Sequence, residues 1–230
     1  MMIDMKPPPI SALAGEALTP LELTRLIAAS PALARQQRGN SELVLVLPGL
    51  GASNASTALM RRYLSWLNYD VHGWTQGTNT GGVRELLPGV VAQAKELHAE
   101  TGGKLNIIGW SLGGVIAREA ARENPALFRQ VITMGSPVAG GPKYTSFGRF
   151  YEAQGVDLDK FEAMIQARES TPIRIPMTSI YSKRDGIVGW QASIDRYNSQ
   201  TDHIEVSATH LGLGISPEVF RILAQKLANA

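Results

Sequence analysis

Lys104-Leu105-Asn106-Ile107-Ile108-Gly109-Trp110-Ser111-Leu112-Gly113-Gly114 is the stretch that decides how this chain is read. Leu105, Ile107 and Ile108 are branched and apolar, as a buried strand requires. Gly109-Trp110-Ser111-Leu112-Gly113 then matches G-x-S-x-G. From Leu112 the apolar spacing becomes helical through Val115, Ile116, Ala117 and Ala120 to Arg122, and Pro125 stops it. A strand that turns sharply into a helix holds its central residue in strained geometry and pushes that side chain out at the top of the sheet. Glycines at 109 and 113 remove the Cβ atoms that would collide across the turn. The helix amino-terminus below Ser111 offers free N–H groups to negative charge. The bare motif also occurs by chance in loops. Here a strand precedes it and a helix follows, so Ser111 reads as a nucleophile.

Outward from this turn the chain alternates strands and helices. Leu43 to Leu47 is a continuous apolar run, expected of a strand buried on both faces, and it ends in Pro48-Gly49-Leu50-Gly51. Ser53 or Ser56 caps a helix reaching Leu67, with Leu59, Met60, Tyr63 and Leu64 as its buried stripe. Tyr69 to His72 is a short strand. The glycine-rich loop from Gly73 to Gly82 carries two amides, Gln76 and Asn79. A helix follows from Val83 to about Ala99. Beyond the central turn come a strand at Val131 to Met134, a strand at Ile173 to Tyr181, the turn Ser182-Lys183-Arg184-Asp185-Gly186, and a last strand at Ile204 to Val206. Ser216-Pro217-Glu218 caps a final helix whose Val219, Phe220, Leu223 and Leu227 face inward.

Such alternation predicts an α/β fold: a mostly parallel sheet with helices on both faces. Its site lies beyond the carboxyl ends of the strands, where the loops contain Leu50, Ser111, Asp185 and His210. Two segments stand apart. Residues 1–40 precede the first strand and form a helical arm, with a capping box at Thr19-Pro20-Leu21-Glu22, a stripe of Leu23, Leu26 and Ile27, and a second short helix from Ser30-Pro31. The arm packs on the main domain or binds a partner. Residues 41–230 form the domain itself, with an insertion at about 138–172.

The blocks Leu47-Pro48-Gly49-Leu50-Gly51, Gly109 to Gly114, Met134-Gly135-Ser136-Pro137, Tyr181 to Val188 and His210-Leu211-Gly212-Leu213 together resemble the α/β-hydrolase superfamily, in particular its bacterial lipase and carboxylesterase-like members. The resemblance spans roughly residues 41–229. It implies a triad in the chain order nucleophile, acid, histidine. A serine hydroxyl needs a base within reach, and histidine suits that task. Of His72, His98, His203 and His210, the family order selects His210, in the loop before the last helix. The other reading of His210 is a loop residue capping a helix end. Among Asp157, Asp159, Asp185, Asp195 and Asp202, the order and a strand-end position select Asp185. Its other reading is a turn aspartate paired with Lys183 or Arg184. The resemblance also implies an oxyanion hole from the N–H groups of Leu112 and Leu50, with Pro48-Gly49 where the family often has His-Gly.

The implied reaction is acyl transfer from a small-molecule ester with an apolar acyl group, through an acyl-enzyme, with no metal or organic cofactor. A thioesterase or acyltransferase would use the same triad. A non-catalytic hydrolase-fold binding protein would normally show a broken one. Phe147, Phe150, Tyr151, Phe161, Met164 and Ile165 of the insertion either wall an acyl pocket or form the core of a small helical cap. The insertion is short, which favours short-to-medium acyl esters over long triglycerides.

Bulk properties narrow the class. The 230 residues suffice for one domain with a sizeable core. Apolar content of 44% against 18% charged describes a folded chain, not a disordered one. A net charge of +2, with scattered lysines and arginines, argues against a nucleic-acid partner. The absence of cysteine excludes disulfides and thiol catalysis. No apolar run has the length of a membrane span. Met1 to Pro9 with its three prolines, and the interruptions at Gly15, Glu16 and Pro20, make a poor secretory signal. The default location is the cytoplasm, and a mature secreted form would also lack a signal.

Overall fold

The computed structural model describes residues 5–230, so the reading of Met1 to Asp4 as part of a poor signal lies outside the described residues. Six parallel strands form one sheet in the order β2-β1-β3-β4-β5-β6: β1 (Leu43–Leu47), β2 (Asp70–Gly73), β3 (Leu105–Trp110), β4 (Phe128–Met134), β5 (Met177–Ser182) and β6 (Asp202–Val206). Register pairs Leu45 with Ile107, Ile108 with Ile132, and Ile180 with both Met134 and Ile204.

Side-chain alternation divides the apolar strands between two cores. Val44, Val46, Ile108, Ile132 and Ile180 face α3 (Ala58–Trp66) and α8 (Pro217–Ala228). Leu43, Leu45, Leu47, Ile107 and Val131 face α4 (Val83–Thr101) and α5 (Leu112–Glu123). Each fully buried Leu, Ile or Phe contributes about 1.5–3 kcal/mol. The four inward positions expected of the last helix are all buried. In α3, Met60 and Leu64 are buried, but Leu59 is exposed; a short 3-10 turn at Asn54–Thr57 precedes the helix.

The chain ahead of β1 differs most from expectation. It holds α1 (Ile10–Gly15) and α2 (Thr19–Leu33), joined by a 3-10 turn at Glu16–Leu18. Because the backbone enters α2 already helical, no capping box forms at Thr19. Thr19 Oγ1 instead hydrogen-bonds Thr209 Oγ1 at 3.0 Å, and Glu22 takes Arg25 at 2.7 Å. No second helix starts at Ser30. Pro31 sits inside α2, and the Ser30 hydroxyl donates to the Ile27 carbonyl that proline leaves without its N–H. Leu23 and Ile27 face solvent; Leu26, Ala29 and Leu33 make the contact with the core.

Between β4 and β5 run a 3-10 turn at Gly141–Tyr144, α6 (Gly148–Ala153) and α7 (Leu158–Glu169). Phe161 and Ile165 pack against Gly141, while Phe147, Phe150 and Met164 are exposed. The strand expected from Ile173 begins only at Met177, since Pro172 and Pro176 cannot donate to a ladder. Ser216 stands before α8 without a side-chain cap, and Glu218 reaches Ser207 instead.

A buried ion cluster ties this crossover to α5. Arg118 donates to Asp195 at 2.6 Å and to both oxygens of Glu169 at 2.9 Å, and Arg122 pairs with Glu169 at 2.7 Å. Burial works against both charges, yet the opposed charges and hydrogen bonds outweigh it. The guanidinium of Arg118 is pushed up, and the carboxyl of Asp195 is held below the usual carboxylate range. Asp195 lies in the loop after the 3-10 turn Trp190–Ser193.

Candidate active site

At the β3–α5 turn Ser111 has φ +53° and ψ −124°, a conformation that costs a non-glycine residue energy. The packing explains why the turn needs its glycines. A Cβ on Gly113 would lie 2.6 Å from the carbonyl oxygens of Leu47 and Pro48, and one on Gly109 would strike Gly114. Helix α5 can therefore start directly beneath the end of β1. Ser111 N–H donates to Met134 O at 2.8 Å, which fixes the turn to the end of β4.

The loop after β1 lies over the serine. A Cβ on Gly49 would sit 3.2 Å from Ser111 Cβ and 3.9 Å from its Oγ. Leu50, next in the chain, is 41% exposed. Fully buried Asn79 braces this loop from both sides. Its Nδ2 donates to Pro48 O at 2.9 Å, its N–H donates to Ala52 O at 2.8 Å, and its carbonyl accepts from Gly51 N–H at 2.8 Å. The amide in a glycine-rich loop was the sequence signal for Asn79, but its partners were not legible there.

Asp185 and His210 are brought together. Nδ1 of His210 lies 2.7 Å from Asp185 Oδ2, and both residues are buried. Asp185 Oδ1 accepts from the N–H groups of Ile187 (2.9 Å) and Val188 (2.7 Å). With both oxygens so engaged, the turn pairing with Lys183 or Arg184 does not form, and Lys183 reaches Glu205 instead. An ionised carboxylate only accepts, so in this pair Nδ1 is the donor to Asp185 Oδ2. The ring caps no helix end, although His210 stands just before the 3-10 turn Leu211–Gly214.

Gly135 ends β4 between the two halves of the site. Its φ is +53°, and a Cβ there would lie 2.9 Å from Asp185 Oδ2 and 3.0 Å from His210 Nδ1. The Trp110 and His210 ring centroids are 6.1 Å apart. Ser111 is thus neighbour to the pair through Trp110 and Met134. Among the described residues no hydrogen bond joins its hydroxyl to the imidazole, whose bond runs to Asp185. The remaining histidines are engaged elsewhere: His203 Nε2 accepts from Asp195 N–H at 3.0 Å, His98 Nδ1 contacts Gly103 O at 2.9 Å, and His72 contacts Asp70 at 2.9 Å.

The arrangement can be compared with known folds. One of two lipolytic enzymes derived from a metagenome superposes with a TM-score of 0.64 at 16% identity, over 84% of this chain and 95% of that one. The chain has the α/β-hydrolase fold. A monoacylglycerol lipase of Paleococcus ferrophilus aligns with this chain at a TM-score of 0.63 and 16% identity, over 84% and 96% of the two chains. The thioesterase domain of the curacin biosynthetic pathway gives 0.56 and 14%, over 84% and 93%. No protein-family model matches the sequence, and no curated protein matches it significantly. Among the described residues of this α/β-hydrolase fold, no helix is long and apolar enough to cross a membrane.

One residue of the site escaped the sequence reading. Glu16, read only as an interruption of an apolar segment, is buried, and its carboxylate accepts N–H groups from Gly186, His210 and Leu211.

Proposed function

We propose that this chain is a serine hydrolase of carboxylic esters, with Ser111 as nucleophile, His210 as general base and Asp185 as its orienting acid. The observation that carries the reading is the buried Asp185–His210 hydrogen bond, beside the strained serine turn at the strand ends. Ser111 attacks the ester carbonyl while Nε2 of His210 takes its proton. Asp185 stabilises the imidazolium that results. The oxyanion is met by the N–H of Leu112, free at the start of α5, and by that of Leu50 in the loop over Ser111. His210 returns the proton to the departing alcohol, and water then cleaves the acyl-enzyme. A serine–imidazole bond often tightens only once substrate is bound, which accommodates an unbonded Ser111 hydroxyl.

A chain-length series of p-nitrophenyl esters tests this. The wild-type chain is expected to release a burst of p-nitrophenol, strongest with short-to-medium acyl groups. Ser111→Ala is expected to lower kcat by about 10^6-fold. A wild-type chain that cleaves no ester and takes no phosphonate label at residue 111 overturns the proposal and leaves the binding-protein reading. Thioester hydrolysis or acyl transfer to an alcohol, faster than ester hydrolysis, would move the assignment to the second reading. The likeness to a thioesterase domain makes that arm necessary. A cytoplasmic location belongs to the same proposal and is tested by cell fractionation.

A further inference from the structure

The loop carrying Asp185 and the loop carrying His210 follow different strands, β5 and β6. A third segment joins them. Oε1 of Glu16 accepts from Gly186 N–H at 2.9 Å and from His210 N–H at 2.8 Å; Oε2 accepts from Leu211 N–H at 2.9 Å. Glu16 is 7% exposed. One carboxylate thus holds the residue after the acid, the base itself and the residue after the base. All three donors are backbone N–H groups, and the buried N–H groups of Gly186 and His210 are both paired by it.

The surrounding contacts bring Glu16 close to both loops. A Cβ on Gly186 would lie 2.6 Å from Ala12 C and 2.8 Å from Leu13 Cα, so only glycine lets α1 approach the acid loop this closely. On the histidine side, Thr19 Oγ1 bonds Thr209 Oγ1 at 3.0 Å, and a Cβ on Gly212 would lie 3.1 Å from Glu22 Cγ.

We propose that Glu16 is a positioning residue of the active site: its buried carboxylate clamps the Asp185 loop to the His210 loop and fixes the imidazole against its aspartate. The proposal rests on the reading of His210 as general base. Without the clamp the two loops are joined by the imidazole–carboxylate bond and by packing, and Nε2 loses its fixed direction. Misplacing a catalytic group by about 1 Å costs on the order of 10^2-fold in rate.

The test uses the full chain with p-nitrophenyl butyrate as probe. Glu16→Ala is expected to lower kcat about 10^2-fold with KM within about twofold of wild type, because ground-state binding is untouched. Glu16→Gln keeps one acceptor oxygen for the Gly186 and His210 N–H groups, so it should recover part of the loss; it also serves if the alanine variant fails to fold. Thr19→Val breaks the neighbouring arm contact without touching the three N–H groups and should leave kcat within about threefold. The proposal is overturned if folded Glu16→Ala, or folded Glu16→Gln in its place, keeps wild-type kcat. It is also overturned if Thr19→Val loses as much as Glu16→Ala. The low-field proton NMR resonance of His210 Nδ1–H separates this outcome from failure of the hydrolase reading. If the wild type cleaves nothing, the hydrolase reading falls by itself. The clamp then stands if that resonance is sharp in the wild type and broadened in the Glu16 variant, and falls if it is unchanged.

Discussion

Asp185 and Asp195 are built alike and coupled to different partners. Each is buried in a loop between β5 and β6. Each turns one oxygen to the N–H groups two and three residues ahead: Ile187 and Val188 for the first, Tyr197 and Asn198 for the second. The other oxygen decides what the group can do. On Asp185 it faces the imidazole of His210, a ring whose nitrogens can both donate and accept a proton. On Asp195 it faces the guanidinium of Arg118, which stays charged at any working pH. One aspartate motif therefore serves the pair proposed above as a proton-transfer site and a buried ion cluster, and the partner distinguishes the two.

Four experiments probe that contrast. Asp185→Asn presents an amide to Nδ1 and disfavours the tautomer needed for catalysis; kcat should fall about 10^4-fold while the thermal midpoint moves little. A fall below tenfold would mean that the pair is structural, as at Asp195. Arg118→Ala should do the opposite. It leaves Asp195 buried without its cation and Glu169 with Arg122 alone, so urea unfolding should show a loss of about 3–5 kcal/mol, while kcat per titrated active site holds. Acid should find the same cluster. The native carboxyl of Asp195 titrates below its unfolded value, so its contribution is present above the ordinary carboxylate pKa of about 4 and is lost as pH falls through the lowered native value. Stability measured from pH 6 to pH 2 should decline in that window, and Asp195→Asn should flatten the decline. The smallest effect is expected from Asn79→Ala, which unbraces the loop over Ser111. There kcat should drop about tenfold, equivalent to about 1.4 kcal/mol, and an unchanged kcat would remove Leu50 from the oxyanion hole.

What was legible in the sequence follows from how local each signal is. The β3–α5 turn announced itself because strand, glycines, serine and helix are contiguous, and close packing at Gly113 permits few alternatives. The sheet was legible because continuous apolar runs such as Leu43 to Leu47 suit a strand covered on both faces. Asp185 and Asp195 could be ordered by chain position, but nothing local distinguishes their turns. The arm was misread where tertiary partners override local rules. Thr19 has the spacing of a cap, yet its hydroxyl is taken by Thr209, and Pro31 has the look of a helix start, yet Ser30 lets α2 run through it. Glu16 was beyond reach, since its three partners come from the far end of the chain.

That last feature bears on synthesis. Residue 16 emerges from the ribosome first among the groups around His210, and its partners are 170 to 195 positions later. At about 5–20 residues per second the early carboxylate waits on the order of ten seconds or more before the loops it holds have been made. Under the proposed triad, a nascent chain would carry Ser111 well before His210, so it would stay inert toward acyl compounds until residue 210 has been made.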